Sequence, residues 1–303
     1  MPHIYYTDRN TQEKKIEKVY KGFLVRLFYR PHFLLRGVIR LLRPLITHSS
    51  LVSKLYGKLQ NTKWSRRKIT PFIQQYAVNI EEFQDAPHTF KTFNDFFIRK
   101  LKKNSRPLHP SSRVAVLPAD GKYLVFPKAS HSLKFFVKGR PFSISSLIKD
   151  PVLAKTYEEG SLLIARLSPP DYHRFHFPCD GTPLQSRPIN GPLFSVNPLA
   201  LQSRPSILAE NKRVITPFES VHFGVILYLE IGATNVGTIH QTFSPYTFYH
   251  KGDEKGYFSF GGSSLILLFE KNTIQFEADL VEASSQGMEI SGRFGEPMGI
   301  SLR

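Results

Sequence analysis

Two glycines and two serines stand directly before one of the most apolar runs of the chain. Gly262 precedes Ser263, and the run 265–269, Leu-Ile-Leu-Leu-Phe, is typical of a buried strand. Because Gly262 lacks a Cβ, its carbonyl can be approached closely, and the strand would hold the serine hydroxyl still beside it. Such a hydroxyl can attack the neighbouring carbonyl. The same letters also fit an ordinary turn between two strands, so this motif alone is not decisive.

Two other segments carry groups that could move a proton. Asp120 lies in a Pro-Ala-Asp-Gly-Lys sequence, which could hold the acid in a tight turn but is also a strong hairpin signal. His173 and His176 lie in an aromatic segment bounded by prolines. Residues three apart in a regular strand point to opposite faces, so both histidines serve one pocket only if the segment bulges or turns. Asp120, one histidine and Ser263 are the residue types of an acid–histidine–serine relay.

Other site types have little support in the sequence. No third ligand lies near the two histidines, and the chain has a single cysteine, Cys179, so no metal centre is expected. One cysteine also excludes an internal disulfide and fits a reducing compartment. The sequence Gly-Ala-Thr-Asn-Val-Gly at 232–237 is a weak signal, because its small residues suit either an anion at the backbone amides or close strand packing.

The positive charge of the chain is concentrated near its beginning. The 303 residues carry a net charge of +17, and the range 18–80 has thirteen Lys and Arg with no Asp or Glu. Such a balance predicts an anionic partner: nucleic acid, a membrane surface or an acidic substrate. Arg36, Arg40 and Arg43 form a basic stripe beside large aliphatic residues, which fits either a helix in a membrane interface or a packed helix with a solvated basic face. No groove-reading motif is present, so nucleic acid is not expected.

The secondary structure that the sequence predicts changes near residue 105. Before it, the patterns predict helices, including a stretch from 76 to 83 and a short helix from 92 that Thr92 would cap. After Arg113 the apolar runs are short and β-rich, with frequent Pro and Gly. We therefore predict an α+β protein with a helical, basic N-terminal region at 1–105 and a compact β-rich domain at 106–303. No secretory signal and no run long enough for a spanning helix is visible.

Taken together, seven short segments resemble the phosphatidylserine decarboxylases, a family of pyruvoyl-dependent, membrane-associated enzymes. They occur in the order of that family and cover the chain from about 65 to 268. The segments are 93–101 (Phe-Asn-Asp-Phe-Phe-Ile-Arg-Lys-Leu), 118–121 (Pro-Ala-Asp-Gly), 137–139 (Val-Lys-Gly), 172–178 (Tyr-His-Arg-Phe-His-Phe-Pro), 211–214 (Asn-Lys-Arg-Val), 232–237 and 251–264. The family's usual Gly-Ser-Thr stands here as Gly262-Ser263-Ser264, and this change keeps the second hydroxyl.

The resemblance implies both a chemistry and a set of roles. Asp120, His176 and Ser263 would form a relay in which the serine attacks the Gly262 carbonyl and the chain cleaves itself between those two residues. Ser263 would become a covalent pyruvoyl group, which forms a Schiff base with the substrate. His173 would donate a proton to the substrate carbon in each turnover, with Asp171 orienting it. The reaction would convert phosphatidylserine to phosphatidylethanolamine.

The resemblance also implies partners and a location. A large and a small subunit would arise from one chain, and two such heterodimers would pair. The enzyme would be peripheral on the cytoplasmic face of the cell membrane, bound to an anionic surface, with no transmembrane helix and no nucleic acid. Two alternatives stay open: a basic membrane-binding protein without activity, and a Ser–His–Asp hydrolase. Either of these would remain a single uncut chain.

Overall fold

The computed structural model describes residues 4–18, 57–129, 143–204, 206–233, 239–261 and 263–303. It contains both helices and many strands, so the predicted α+β fold is confirmed. The arginine stripe at Arg36, Arg40 and Arg43, the residue Gly262 and most of the segment 232–237 lie outside the described residues. No helix within the described ranges is long and apolar enough to span a membrane.

Ten strands form the main sheet of the described part of the chain. Their order is β2 (Lys14–Ile16), β1 (Tyr5–Asp8), β15 (Glu289–Gly292), β4 (Gly121–Phe126), β5 (Ser161–Leu167), β13 (Ser263–Phe269), β10 (Gly224–Ile231), β9 (Arg213–Ser220) and β7 (Gly181–Pro183), with β8 (Arg187–Ile189) also paired to β9. β1 and β15 are parallel, and the other pairs are antiparallel. The predicted strand at 265–269 is confirmed as part of β13, which lies near the middle of this sheet.

Two three-stranded sheets complete the β-structure of the described residues. One has the order β11 (Ile239–Gln241), β12 (Glu254–Phe258), β6 (Arg174–His176), and the other β14 (Ile274–Phe276), β16 (Pro297–Ser301), β3 (Val114–Val116). β3 and β4 therefore belong to different sheets. The hairpin interpretation of the Asp120 turn is wrong, because the two strands that this turn connects pair in different sheets and not with each other.

The helical part before residue 105 consists of short elements. α1 (Ile69–Tyr76) and α2 (Phe93–Phe97) are accompanied by 3₁₀ helices at Lys63–Lys68, Ile80–Glu82, Pro87–Thr89 and Lys103–Ser105. The helix predicted from 76 to 83 is wrong: α1 ends at Tyr76 because Ala77 has a left-handed backbone, with φ 49° and ψ 47°. The predicted Thr92 cap is confirmed, since Thr92 and Asp95 exchange two hydrogen bonds of 3.1 and 3.0 Å.

The buried position of the central strand, β13, explains why its sequence is continuously apolar. Leu265, Leu267 and Phe269 pack into one core and Ile266 and Leu268 into the other, so both faces of β13 are buried. The second core is covered by α3 (Ile144–Ile148), α4 (Pro151–Glu158), α5 (Pro198–Ser203) and α6 (Ile207–Glu210), and the first by α7 (Ala278–Ser285). β5 and β10 on its edges and the two cores on its faces thus enclose β13 on every side.

The first strands of the chain were not anticipated from the sequence. β1 and β2 form an antiparallel hairpin that joins the main sheet through parallel pairing of Tyr6 with Glu289 and Asp8 with Ser291. Strands from the region 1–105 thus extend the sheet of the later region. The boundary at 105 stays a prediction.

Candidate active site

A serine and a histidine meet at the start of the central strand. Ser263 is the first residue of β13, and its Oγ lies 3.5 Å from Nδ1 of His173. Both residues are fully buried. The other ring nitrogen, Nε2, lies 3.0 Å from the carbonyl oxygen of Ser168. A carbonyl can only accept a hydrogen bond, so Nε2 carries the proton and Nδ1 presents a lone pair to the Ser263 hydroxyl.

The environment keeps the His173 ring neutral. Burial, together with the positive charge of Arg99, lowers the pKa of His173 to about 3. The ring stacks on Phe97 of α2, with centroids 3.8 Å apart. A neutral imidazole with a free lone pair at the serine is the form that can take a proton.

The backbone of two neighbouring strands fixes the position of Ser263. In the antiparallel register Ser263 lies opposite Leu167 of β5, and Ser264 lies opposite Arg166 on that side and Ile231 on the other. The Ser264 Oγ is buried and has no hydrogen-bond partner among the described residues. Of the two adjacent hydroxyls, Ser263 is therefore the one that contacts a base.

Helix α2 holds the residues just before the serine. The side-chain oxygen of Asn94 accepts a hydrogen bond of 3.0 Å from the Phe260 N–H, and the Phe260 ring packs edge-on against Phe97 and Phe93. Gly261 has a φ of 141°, a conformation that favours glycine. Helix α2 therefore fixes Phe260, three residues before Ser263.

His176 and Asp120 meet at another residue, Phe294. His176 Nδ1 donates a 2.9 Å hydrogen bond to the Gly252 carbonyl, which can only accept, and the His176 ring stacks on Phe294 with centroids 3.7 Å apart. Asp120 binds Arg106 through two hydrogen bonds of 3.0 and 2.6 Å and accepts a third, of 2.9 Å, from the Phe294 N–H. Burial lowers the pKa of His176 to about 4.

The geometry groups the four predicted residues in two pairs. Ser263 contacts His173, whereas Asp120 and His176 share Phe294; no hydrogen bond within the described ranges joins Asp120 to His176 or His176 to Ser263. His173 immediately precedes β6 and His176 ends it, so the two imidazoles face different surroundings, as their spacing in a strand requires. The catalytic roles of these residues stay predictions.

Comparison with known proteins supplies the family. A sequence profile described as phosphatidylserine decarboxylase matches residues 93–299, which include both histidines and Ser263. The chain belongs to the phosphatidylserine decarboxylase family. Three relatives, each named phosphatidylserine decarboxylase proenzyme, are those of Chlamydia pneumoniae (44% identity over 298 residues, 98% of this chain and 97% of the relative), Chlamydia muridarum (47% over 294, 97% and 96%) and Chlamydia felis (40% over 302, 100% and 99%).

A polar cavity of about 380 Å³ opens beside Asp120, and its lining does not include Ser263, His173 or His176. Its lining includes Asp120, Lys122, Asp171 and Arg99. Lys122 donates to both oxygens of Asp171, at 3.0 and 3.1 Å. Asp171 does not bind His173 directly; it accepts a 2.7 Å hydrogen bond from the N–H of Ser168, whose carbonyl holds the imidazole.

Several residues of the site were not found from the sequence. Arg106 and Phe294, which hold Asp120, and Ser168, which holds His173, reach their partners by long-range folding that no local pattern encodes. Phe97, on which the His173 ring stacks, is the exception. It lies in the segment 93–101, which resembles the decarboxylase family, and it ends the helix that Thr92 caps.

We predict that His176 makes stability fall with acidity. Its folded pKa of about 4 lies below the ordinary 6.5, so between these values the unfolded chain binds more protons and the free energy of unfolding rises with pH. Replacing His176 by Gln removes this contribution, which has a slope of up to about 1.4 kcal/mol per pH unit. The measurement is chemical denaturation of Ser263→Ala with and without His176→Gln, from about pH 8 to about pH 4.

Other buried groups, including Asp171, whose pKa burial raises, are present in both proteins, so the difference between the two curves isolates His176. Parallel curves over this range would contradict the burial of a neutral His176.

Proposed function

We propose that this chain is a proenzyme that cleaves itself between Gly262 and Ser263 and then decarboxylates phosphatidylserine to phosphatidylethanolamine. The family and the names of the relatives support the enzyme and its substrate. The observation that carries the proposal is the buried contact between Ser263 Oγ and the lone pair of His173 Nδ1. It supports residue 263 as the reactive position of the chain.

Self-cleavage would begin at the Ser263 hydroxyl. A base takes its proton while Oγ attacks the Gly262 carbonyl carbon, the peptide nitrogen leaves with a proton, and an ester replaces the amide. Loss of the Cα proton of residue 263 then expels the Gly262 carboxylate. Addition of water to the remaining dehydroalanine nitrogen–carbon bond, after it shifts to an imine, releases ammonia and leaves a pyruvoyl end. The sequence of steps consumes one water and no oxidant.

The residues around position 263 fit such a group. A pyruvoyl group supplies a carbonyl that draws electrons away from the bond to a leaving carboxylate, as other electron-sink cofactors do. The Ser264 Oγ, buried and without a partner in the described structure, could donate a hydrogen bond to a carbonyl at the neighbouring residue.

His173 is proposed as the proton donor during turnover. Its Nδ1 is the ring nitrogen nearest residue 263, where the substrate carbon would be protonated after carbon dioxide leaves. Without substrate, burial and Arg99 keep this ring neutral. The carboxylate and phosphate of phosphatidylserine would bring negative charge to the site, which raises the pKa of a nearby imidazole and allows it to carry the proton.

Asp120 and His176 are proposed to act once, in maturation. Support comes from the family resemblance and from their shared contact with Phe294, which keeps the acid and the imidazole close. Geometry alone would give His173 both jobs, because it is the imidazole that contacts Ser263. Separate variants of the two histidines therefore distinguish the assignments.

We predict that Ser263→Ala abolishes cleavage and activity, whereas Ser264→Ala still cleaves. Ser263 contacts a base, and removing an unpartnered hydroxyl costs little. A denaturing gel shows one band or two, and carbon dioxide release from labelled phosphatidylserine measures activity. The opposite pattern would move the nucleophile to Ser264, and an unmutated chain that stays in one piece and releases no carbon dioxide would contradict the proposal.

We predict different failures for the two histidine variants. His173→Ala yields two subunits but turns over about 10²–10⁴-fold more slowly, the usual cost of losing a general acid. His176→Ala stays uncut and inactive. The same gel and carbon dioxide assay, run side by side on both proteins, measure this. If His173→Ala remains uncut while His176→Ala matures, the observed serine contact is the one that starts cleavage and the roles are exchanged.

The membrane contact is proposed to include an exposed tryptophan. Trp64, in the 3₁₀ helix Lys63–Lys68, is 74% exposed, and the Arg67 guanidinium lies 4.4 Å from its ring. Tryptophan prefers the membrane interface, and each nearby cation adds about 1 kcal/mol at an anionic leaflet. Between these residues Ser65 is buried and accepts a 2.8 Å hydrogen bond from the Phe93 N–H, so this face is attached to helix α2 beside the site.

We predict that Trp64 enters the interface of anionic vesicles. It is the only tryptophan of the chain, so its emission should shift to the blue with phosphatidylserine vesicles, and salt should reverse the shift. Reversing the charges of Lys63 and Arg67, or of Arg36, Arg40 and Arg43, should weaken vesicle binding. Lys155→Glu with Lys271→Glu is the matched control, since both lysines are exposed elsewhere. An unshifted emission on binding would exclude this face.

A further inference from the structure

The carboxylate of Glu17 is buried beneath the active site. Glu17 follows β2 of the N-terminal hairpin, and its side chain is 8% exposed. Arg166 donates to its two oxygens at 3.0 and 2.7 Å, and the Ser168 hydroxyl donates at 2.6 Å. Burial alone would raise the pKa of Glu17, but the charge and hydrogen bonds of Arg166 outweigh it and lower the pKa to about 2. Glu17 is therefore a fixed anion at any pH near neutrality.

Ser168 uses all of its polar groups in this region. Its N–H donates to Asp171 at 2.7 Å, its hydroxyl donates to Glu17, and its carbonyl accepts from His173 Nε2 at 3.0 Å. The hydroxyl also accepts from Arg166 at 3.1 Å. The residue directly follows β5, whose last position, Leu167, lies opposite Ser263. Ser168 therefore connects the carboxylate of Glu17 to the imidazole at the serine.

The arginine in this group also faces the reactive strand. Arg166 lies opposite Ser264 in the β5–β13 pair, and besides Glu17 it binds Glu289 with two hydrogen bonds of 2.9 and 2.6 Å. Glu289 belongs to β15, the strand that pairs with β1. The hairpin is thus tied to the site by its backbone through β15 and by the Glu17 side chain.

We infer that Glu17 is a positioning residue, which acts through Ser168 to fix the orientation and the tautomer of His173. The N-terminal hairpin is then a working part of the site, and not only an added edge of the sheet. This inference rests on the proposed function only for its effect on turnover. The placement of His173 itself can be measured in a protein with no activity.

The distances explain why this placement matters. The Ser263–His173 contact of 3.5 Å is at the outer limit of a hydrogen bond, so a small displacement of the ring breaks it. Losing the Ser168–Glu17 hydrogen bond would leave Ser168 held mainly by Asp171, whose N–H donates to the Ser168 carbonyl at 2.9 Å and whose carboxylate accepts from the Ser168 N–H at 2.7 Å. The carbonyl would then be less firmly fixed. The alternative tautomer, with the proton on Nδ1, would then become accessible and would remove the lone pair from the serine side.

Turnover tests whether the two residues act as a unit. We expect Ser168→Ala and Glu17→Ala each to lower kcat by about 10- to 100-fold, as outer-shell partners of active groups do, with KM changed less than about twofold. The double variant should lose no more than the larger single loss, because both changes break one connection. Glu13→Ala, an exposed acid of the same hairpin, should match the unchanged chain. Losses that multiply in the double variant would overturn the inference.

The tautomer of His173 tests the inference without any activity. Nitrogen-15 NMR of imidazole-labelled Ser263→Ala should show His173 protonated at Nε2 alone, with the signal assigned by its absence in His173→Gln. Adding Glu17→Ala, or Ser168→Ala if the former does not fold, should give a mixture of tautomers, and adding Glu13→Ala should not. An unchanged Nε2 tautomer in both variants would overturn the inference. A wild-type chain that neither cleaves nor decarboxylates would refute the proposed function and leave this result standing.

Discussion

The structure depends on one constraint: Ser263 opens a strand that is buried on both faces and paired on both edges. β13 lies between β5 and β10, and each of its seven residues is buried. The backbone that carries the Ser263 hydroxyl therefore cannot move without breaking sheet hydrogen bonds. Everything that acts on it must come from outside the sheet, and His173 does so from the segment that leads into β6.

Burial also decides the charge states around the serine. Burial holds both imidazoles neutral, while the buried carboxylates and cations near them are neutralised in pairs. These pairs are Arg106–Asp120, Lys122–Asp171 and Arg166 with Glu17 and Glu289. Arg99 is the neighbouring cation that binds carbonyls, including that of Pro170, and its charge adds to the lowering of the His173 pKa. The neutral imidazole of His173 is thus surrounded by buried charged groups, most of which are paired with a group of opposite charge.

Local sequence was sufficient where local physics sets the structure. The apolar run after Ser263 predicted its strand, and Thr92 predicted the start of α2, because burial on two faces and helix capping are encoded by adjacent residues. The resemblance to the decarboxylase family predicted four site residues, but not how they pair. Strand periodicity implied that His173 and His176 face apart, yet it could not say which one reaches Ser263. Long-range partners such as Glu17 could not be found, because they depend on how the sheets are assembled.

The central claim is that residue 263 is converted into the reactive group of a decarboxylase. The most direct measurement is the intact mass of the purified, active protein, with sequencing from the new N-terminus. The account predicts two chains, the smaller comprising residues 263–303, lighter by one ammonia than the unmodified peptide and resistant to Edman degradation. An active protein with an intact chain, or a small chain that begins with a free serine, would contradict it.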